Sequence, residues 1–353
     1  MKYGLKTMTV WAATLCLLVL AGCQTPSPAI SAAVGKPPAA ASASLAANPL
    51  PSWREGAAKG RIVEFVEEVT RPGSVAYVPE KDRLATFDMD GTIYCEKPYW
   101  LAMTVALDEL KTVAEESPAQ RRRSPYREAF LYDPAHAPGA EADFVLQYFL
   151  LVLETPFAGW TQQEYQSHVE SFAASQSDAR FGILYRDQFY RPMVELIELL
   201  LENRFQVYIV SGSDQALVRA VCERQLNLPP SHYIGSQNAL NVRYGKAGVE
   251  FLRQGASVPP SNVGDGKPQN IHYHIGQAPV LAVGNTSDDI GMLTMATSNP
   301  AYPLTLGVVI DHDDGEREYA YQDARLLDEA SRQGWLVVRM KEDFGEVFLG
   351  PKR

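Results

Sequence analysis

The sequence predicts an α/β protein in which helices pack on a parallel sheet and a helical domain is inserted after the first strand. Three observations carry that expectation. Short apolar runs recur at Leu84-Ala-Thr-Phe, Phe205-Gln-Val-Tyr-Ile-Val210, Pro279-Val-Leu-Ala-Val283, Leu306-Gly-Val-Val-Ile310 and Leu336-Val-Val338, each the length of a buried strand. The stretches between them carry apolar residues at helical spacing. The first three runs stop abruptly in oxygen-rich sequence: Asp88-Met-Asp90-Gly-Thr92, Ser211-Gly-Ser213 and Gly284-Asn285-Thr-Ser-Asp288-Asp289. Open α/β sheets place their ligands at the carboxyl ends of strands, so these three tips form one candidate crevice.

The chain opens with Lys2 and Lys6, then an apolar run from Met8 to Leu20 broken by Thr9 and Thr14. That layout fits a secretory signal over residues 1–22 and is too short for a spanning helix. Leu20-Ala-Gly-Cys23 resembles the lipobox of bacterial lipoproteins. The resemblance implies cleavage before Cys23, a lipid on that cysteine and a membrane partner. With Gln24 rather than Asp next, it implies sorting to the periplasmic side of the outer membrane. Residues 23–52 are rich in Ala, Pro and Ser, cannot bury enough apolar surface to order themselves, and read as a tether.

Residues 53–95 and 181–353 are assigned to the core, and residues 96–180 to a helical cap. Ile62, Phe65, Val66 and Val69 predict a helix before the first strand. In the cap, Met103, Leu107, Leu110 and Ala114 share one helical face, as do Phe144, Tyr148, Leu151 and Val152. Arg121-Arg-Arg-Ser-Pro125 reads as an exposed loop, and Thr161-x-x-Glu164 as a capping box. Pro192 opens a helix whose apolar face comprises Met193, Ile197, Leu200 and Leu201. Gln215 to Leu226 looks helical, which puts Ser211 near a helix N-terminus, where backbone N–H groups bind anions. Gly264-Asp-Gly-Lys267 is a Gly-rich turn that delivers one lysine into a helix or strand. The acidic run Asp311-His-Asp-Asp-Gly-Glu-Arg-Glu318 reads as a strand-end loop and solvated helix start with structural charge pairs.

Composition narrows the function classes. With 353 residues and 46% hydrophobic content the chain can bury a sizeable core. A formal charge of -10 argues against a nucleic-acid partner. Of four cysteines, Cys16 leaves with the signal and Cys23 takes the lipid. Cys95 and Cys222 remain, and their pairing is left open. No Cys or His spacing suggests zinc, and His272 with His274 reads as strand or loop surface.

Asp-x-Asp at one strand tip, Ser at a second, carboxylates at a third and a lysine between make a coherent set for phosphoryl transfer. That chemistry needs positioning and charge neutralisation above all. The order of these parts resembles the haloacid dehalogenase superfamily of hydrolases over residue 60 to the end, with the cap placed as in its phosphoserine-phosphatase-like branch. The segments Cys95-Glu96-Lys-Pro, Tyr190-Arg-Pro-Met193 and Gly334-Trp-Leu-Val-Val-Arg-Met-Lys341 also look like a bacterial group of phosphatases, a resemblance that names no substrate.

The resemblance implies a Rossmann-like core and a Mg2+-dependent phosphatase for a small phosphomonoester. Asp88 would form an aspartyl-phosphate, and Asp90 would protonate the leaving group and then activate water. Ser211 and Gly212 would meet phosphate oxygens, Thr92 would support the loop, and Lys267, with Lys246 as its rival, would offset charge. The metal set implied is Asp88, Asp90, Asn285 and Asp289. Asn285 departs from the family pattern, because an amide offers oxygen without charge. Glu96, flanked by Tyr94, Tyr99 and Trp100, would hold a substrate amine such as that of phosphoserine, phosphoethanolamine or phosphocholine. Its bland reading is a hinge or surface residue beside cap aromatics. Two further readings stay open: phosphoryl transfer to an acceptor alcohol, and a degenerate site that binds a phosphorylated ligand without turnover.

Overall fold

The computed structural model describes residues 48–131, 149–246 and 248–350. The signal, Cys16, Cys23, the tether up to residue 47, and Phe144 and Tyr148 lie outside the described residues. So does all of Met1–Ala41, the smaller of two units of the chain; the folded body described below belongs to Ser42–Arg353.

All five expected strands form. They are β1 (Leu84–Phe87), β2 (Gln206–Asp214), β5 (Leu281–Gly284), β6 (Leu306–Asp313) and β8 (Leu336–Arg339). The sequence reading missed β3 (Tyr233–Gly245), β4 (Gly248–Val258) and the two-residue β7 (Ala320–Tyr321). The sheet runs β4-β3-β2-β1-β5-β6-β7, with β8 beside β6. The expected parallel sheet is therefore corrected to a mixed one: β3 with β4 and β6 with β7 are antiparallel, and the remaining pairs are parallel.

The continuous apolar runs follow from burial on both faces. Along β1, β2 and β5, Phe87, Ile209 and Val283 face one apolar cluster, while Val210 and Ala282 face a second. Each fully buried Val, Ile or Phe contributes about 1.5–3 kcal/mol.

The helices that cover the sheet are α1 (Ala57–Thr70), α6 (Arg191–Glu202), α7 (Gln215–Leu226), α8 (Gly266–His274), α9 (Ile290–Thr297) and α10 (Ala324–Gln333). Between β1 and β2 lie the cap helices α2 (Leu101–Glu116), α3 (Tyr126–Leu131), α4 (Phe149–Glu154) and α5 (Gln162–Ser175). Met103, Leu107, Leu110 and Ala114 are buried on α2 as their spacing predicts. The capping box forms at α5: Thr161 Oγ1 accepts from Glu164 N at 3.1 Å, and Glu164 Oε2 accepts from Thr161 N at 2.7 Å. On α6, Leu196 and Leu199 join the buried face in place of Leu201, which is 37% exposed.

Several boundaries differ from expectation. Leu50 and Ser52, placed in the tether by composition, pack into the body: Leu50 is fully buried and Ser52 donates through N and Oγ to Glu195 at 2.9 and 2.7 Å. His272 and His274 are surface residues, but on the last turn of α8 rather than a strand or loop. Cys95 and Cys222 are both buried, and each is a free thiol.

Arg253 on β4 ties the unexpected hairpin to the cap. It is buried, reaches Asp214 at 3.0 Å, donates to Gln162 Oε1 at 2.8 Å, and lies 3.8 Å over the Tyr165 ring. Toward the turn the same face is open: the cross-strand pairs Val242 with Phe251 and Tyr244 with Val249 are solvent-exposed.

Candidate functional site

The register of the sheet brings the three oxygen-rich tips together. Phe87 sits opposite Ile209 of β2 and Val283 of β5, so Asp88 emerges beside Val210-Ser211 and Gly284-Asn285. Asp88 N donates to Val283 O at 3.0 Å, which fixes the exit of the chain from β1. The loop then turns through Gly91, whose φ of 75° is unfavourable for any residue with a side chain. A Cβ there would also fall 1.9 Å from Asn285 Nδ2 and 2.9 Å from Glu96 Oε1. Glycine lets the first loop lie directly on the third.

Asp88 and Lys267 form a buried ion pair at 2.7 Å. Lys267 also donates to Asp289 Oδ1 at 2.5 Å. Its rival Lys246 is exposed in the turn between β3 and β4. Lys267 is 3% exposed because α8 begins at Gly266, so the side chain leaves the first helical turn toward the sheet.

Two acids thus share one buried lysine. Burial, then the charge of Asp289, pushes the Asp88 carboxyl well above the usual range, against the pull of Lys267. Burial also opposes the charge on Lys267, but Asp289 and Asp88 together outweigh it and raise its pKa. Asp289, implied as a metal ligand, is engaged elsewhere. Its Oδ2 accepts from Asn285 N and Thr286 N at 2.9 and 3.1 Å, and its Oδ1 holds Lys267. Asp289 therefore shapes the Asn285 turn and anchors the lysine.

Asp90 points toward the β2 tip. Its Oδ2 accepts from Ser213 Oγ at 2.7 Å and from Ser211 Oγ at 3.3 Å. Burial raises its pKa from 3.8 to about 6, with the Ser213 and Ser211 hydrogen bonds opposing and Glu96 adding to the rise. The sequence reading missed Ser213; two hydroxyls flanking Gly212 after an apolar strand were the signal. The Ser211 loop is pinned from below, since Asn262 Nδ2 donates to Ser211 O at 2.9 Å and Ser236 Oγ donates to Gly212 O at 2.7 Å. The amides of Ala216 and Leu217 at the start of α7 already donate to the Asp214 carboxylate. That helix terminus is capped by the chain itself, so anion binding by its first amides, as expected from sequence, finds them occupied.

Thr92 and Asn285 meet across the loops, with Thr92 Oγ1 donating to Asn285 Oδ1 at 3.2 Å. The amide Nδ2 donates to Glu96 Oε1 at 3.3 Å. Glu96 is 4% exposed and also accepts from Tyr319 OH at 2.9 Å and Trp100 Nε1 at 3.1 Å. It is an enclosed acceptor, not an open anchor.

The run Asp311 to Glu318, read as solvated, is largely buried here. His312 Nε2 lies 2.7 Å from Gly91 O and must donate, because a carbonyl only accepts. His312 Nδ1 lies 3.1 Å from Glu318 Oε2, and Glu318 Oε1 accepts from Tyr190 OH at 2.6 Å and Cys95 Sγ at 3.1 Å. A separate cavity of about 250 Å3 lies under α2, lined by Tyr94, Lys97, Leu107, Phe172 and Tyr185, and none of the motif residues reaches it.

A family model described as haloacid dehalogenase-like hydrolase matches residues 85–294, more than half of the chain and all four motif positions. The chain belongs to the haloacid dehalogenase-like hydrolases. Among solved structures, this hydrolase is similar to a conserved functionally unknown protein from Anaerococcus prevotii DSM 20548. That match has 16% identity, covers 79% of this chain and 90% of that one, and has a TM-score of 0.50, a likeness of fold. It is also similar to a protein with unknown function from Bordetella pertussis Tohama I, at 14% identity, 72% and 97% coverage and a TM-score of 0.46. A phosphoserine phosphohydrolase-like protein from Francisella tularensis subsp. tularensis SCHU S4 matches at 12% identity, 71% and 99% coverage and a TM-score of 0.36. No curated relative matches the sequence.

The donor chemistry of the crevice fits a hard divalent cation. Asp88, Asp90 and Asn285 offer oxygen, and buried Asp90 Oδ1 has no hydrogen-bond partner. Burial first and the Asp289 charge second hold Asp88 raised, and a cation there would favour its ionised form.

Proposed function

We propose that this hydrolase is a Mg2+-dependent phosphatase for small phosphomonoesters, working through a phosphoryl group carried on Asp88. The observation that carries the reading is the pairing at the β1 tip. A buried carboxylate lies against a buried lysine, and two residues on a second carboxylate with a pKa of about 6 is held by two serine hydroxyls. An acid that titrates near neutrality suits proton transfer in both directions. The helical segment between β1 and β2 supports the phosphoserine-phosphatase-like arrangement.

In this reading an Asp88 oxygen forms a bond to phosphorus as the ester P–O bond breaks. Asp90 gives its proton to the departing alkoxide and, now ionised, takes one from the water that attacks the same phosphorus. Inorganic phosphate leaves, and Asp88 regains its carboxylate. Lys267 offsets charge on Asp88 and the phosphoryl oxygens, while Ser211 and Ser213 orient Asp90. Mg2+, held by Asp88, Asp90 and Asn285, would supply charge neutralisation between nucleophile and phosphate. An oxygen nucleophile followed two residues later by a proton donor favours ester hydrolysis over other chemistries of the family. The oxygens of Glu96 already accept from Tyr319, Trp100 and Asn285, so the narrower reading, an amine-bearing substrate, gains no support from that carboxylate.

The test is phosphate release from a panel of phosphomonoesters with Mg2+ or chelator, beside Asp88→Asn. We expect chelator to abolish turnover and Asp88→Asn to lower it at least ~10^3-fold. Turnover that survives Asp88→Asn would end this reading. The proposal extends to location: lipid on Cys23 would hold the enzyme on the periplasmic side of a membrane, supported by Leu20-Ala-Gly-Cys23 alone. Cys23→Ser should then release it to the soluble fraction.

A further inference from the structure

The amide at Asn285 leaves the cation site one negative charge short, and a carboxylate outside the family motifs stands against it. Glu96 Oε1 accepts from Asn285 Nδ2 at 3.3 Å, and Gly91 has no side chain to separate them. The remaining partners of Glu96 are almost all neutral: the Tyr319 hydroxyl, the Trp100 indole and the Asn285 amide. Among the described residues, its ion-pair partner is Lys97 at 3.8 Å, whose half-buried side chain also faces the Tyr321 and Trp100 rings. A carboxylate that is 4% exposed and met mainly by neutral donors keeps most of its field.

Asn285 Nδ2 lies 3.3 Å from Glu96 Oε1 and 3.4 Å from His312 Nε2. A carboxylate accepts and does not donate, so Asn285 turns Nδ2 toward Glu96 and leaves Oδ1 on the Thr92 side. Behind this pair, His312 holds Gly91 O at 2.7 Å, which keeps the motif loop pressed onto Asn285.

We propose that Glu96 is a positioning residue for the cation: it carries the charge that Asn285 lacks and fixes the amide with its oxygen on the Thr92 side, where the lone pair that Thr92 does not use can ligate. This rests on the Mg2+-dependent reading above. Charge and ligand atom, combined in one aspartate in the family pattern, are here divided between a cap-hinge glutamate and a core asparagine. The same glutamate is thereby withdrawn from substrate selection.

The experiment is calorimetric titration of the full chain with MgCl2, which needs no substrate. We expect Glu96→Gln to weaken Mg2+ binding at least ~10-fold, the loss of about 1.4 kcal/mol. Glu96→Gln with Asn285→Asp should return the dissociation constant to within about threefold of the original, because the charge is restored on the ligand itself. Asn285→Asp alone should melt earlier in chelator, from two opposed carboxylates, and regain its melting temperature with Mg2+. A Glu96→Gln protein with unchanged Mg2+ affinity would overturn the inference, as would a double variant no better than the single one. Raised KM for amine-bearing esters alone, with Mg2+ affinity intact, would overturn it in favour of substrate recognition. If Glu96→Gln does not fold, the two Asn285→Asp proteins carry the test. A wild-type chain that binds no Mg2+, or binds it equally after Asp88→Asn, would instead defeat the metal-dependent reading.

Discussion

On one side of Asp88, Lys267 stands between two carboxylates at 2.7 and 2.5 Å. On the other side of the motif loop, Glu96 and Glu318 are met by hydroxyls, an indole, an amide, a thiol and an imidazole, with the Lys97 ammonium 3.8 Å from Glu96. Both flanks are buried, and both are rich in acid. The first compensates charge with charge and is rigid, because each end of the ion pair would be costly to expose alone. The second meets its acids mainly through hydrogen bonds, and its lysine contact, Lys97 with Glu96, is the longer one. We call the first flank closed and the second open; in the Mg2+-dependent reading proposed above, the cation is received beside the open flank, and Asp88, the proposed nucleophile, lies between the two.

Breaking the closed flank should have the largest effect. Lys267→Met leaves Asp289 fully buried without its cation, and we expect a loss of about 3–5 kcal/mol in urea unfolding at neutral pH. A loss under about 1 kcal/mol would mean that Asp289 is stabilised by the Asn285 and Thr286 amides alone.

Asp90 offers a change of opposite sign. Its carboxyl has a pKa of about 6 in the folded chain against 3.8 for an unperturbed aspartate, so between those pH values the native state binds more protons than the unfolded chain. Stability must fall as pH rises through that window and stay lower above it. Asp90→Asn should therefore stabilise the chelated protein by up to about 3 kcal/mol near pH 8 while abolishing turnover. The gain should vanish near pH 4, and a gain that persists there would assign it to packing.

The smallest test sharpens the open flank. Tyr319→Phe removes one hydroxyl donor from Glu96 without changing shape, for which thermal unfolding should show a loss of about 1–2 kcal/mol. A larger loss would mean that the flank acts as one network with His312 and Glu318.

How much of this was visible in the sequence differs between the same two flanks. Asp88, Ser211, Lys267 and Asp289 could be found because each lies at the end of an apolar run or in a Gly-rich turn, patterns that follow from strand burial. The open flank has no such pattern. His312 and Glu318 sit in a run of charges, and nothing in a run of charges distinguishes a solvated loop from one folded beneath the cap hinge. Burial there comes from β6 running past the β5 tip to Asp313, a tertiary fact. The β3–β4 hairpin was missed for a local reason: Gly235, Asn238, Asn241 and Gly255 interrupt its alternation, and its turn end leaves apolar residues in water. Glu96 was noticed for its spacing from Asp88, but its partners Tyr319 and Asn285 are more than 180 residues away.

The two thiols of the described residues give the hinge a built-in reporter. Cys95 is 2% exposed and donates to Glu318, and Cys222, on α7, is fully buried. Burial pushes both thiols up, so neither forms a thiolate in the closed molecule. A thiol-reactive dye should then reach Cys95, which also lines the cavity under α2, with less opening of the molecule than it needs for Cys222 in the core. The difference between the two labelling rates, read on a chain that starts after Cys23, separates opening near residues 95–98 from opening of the core.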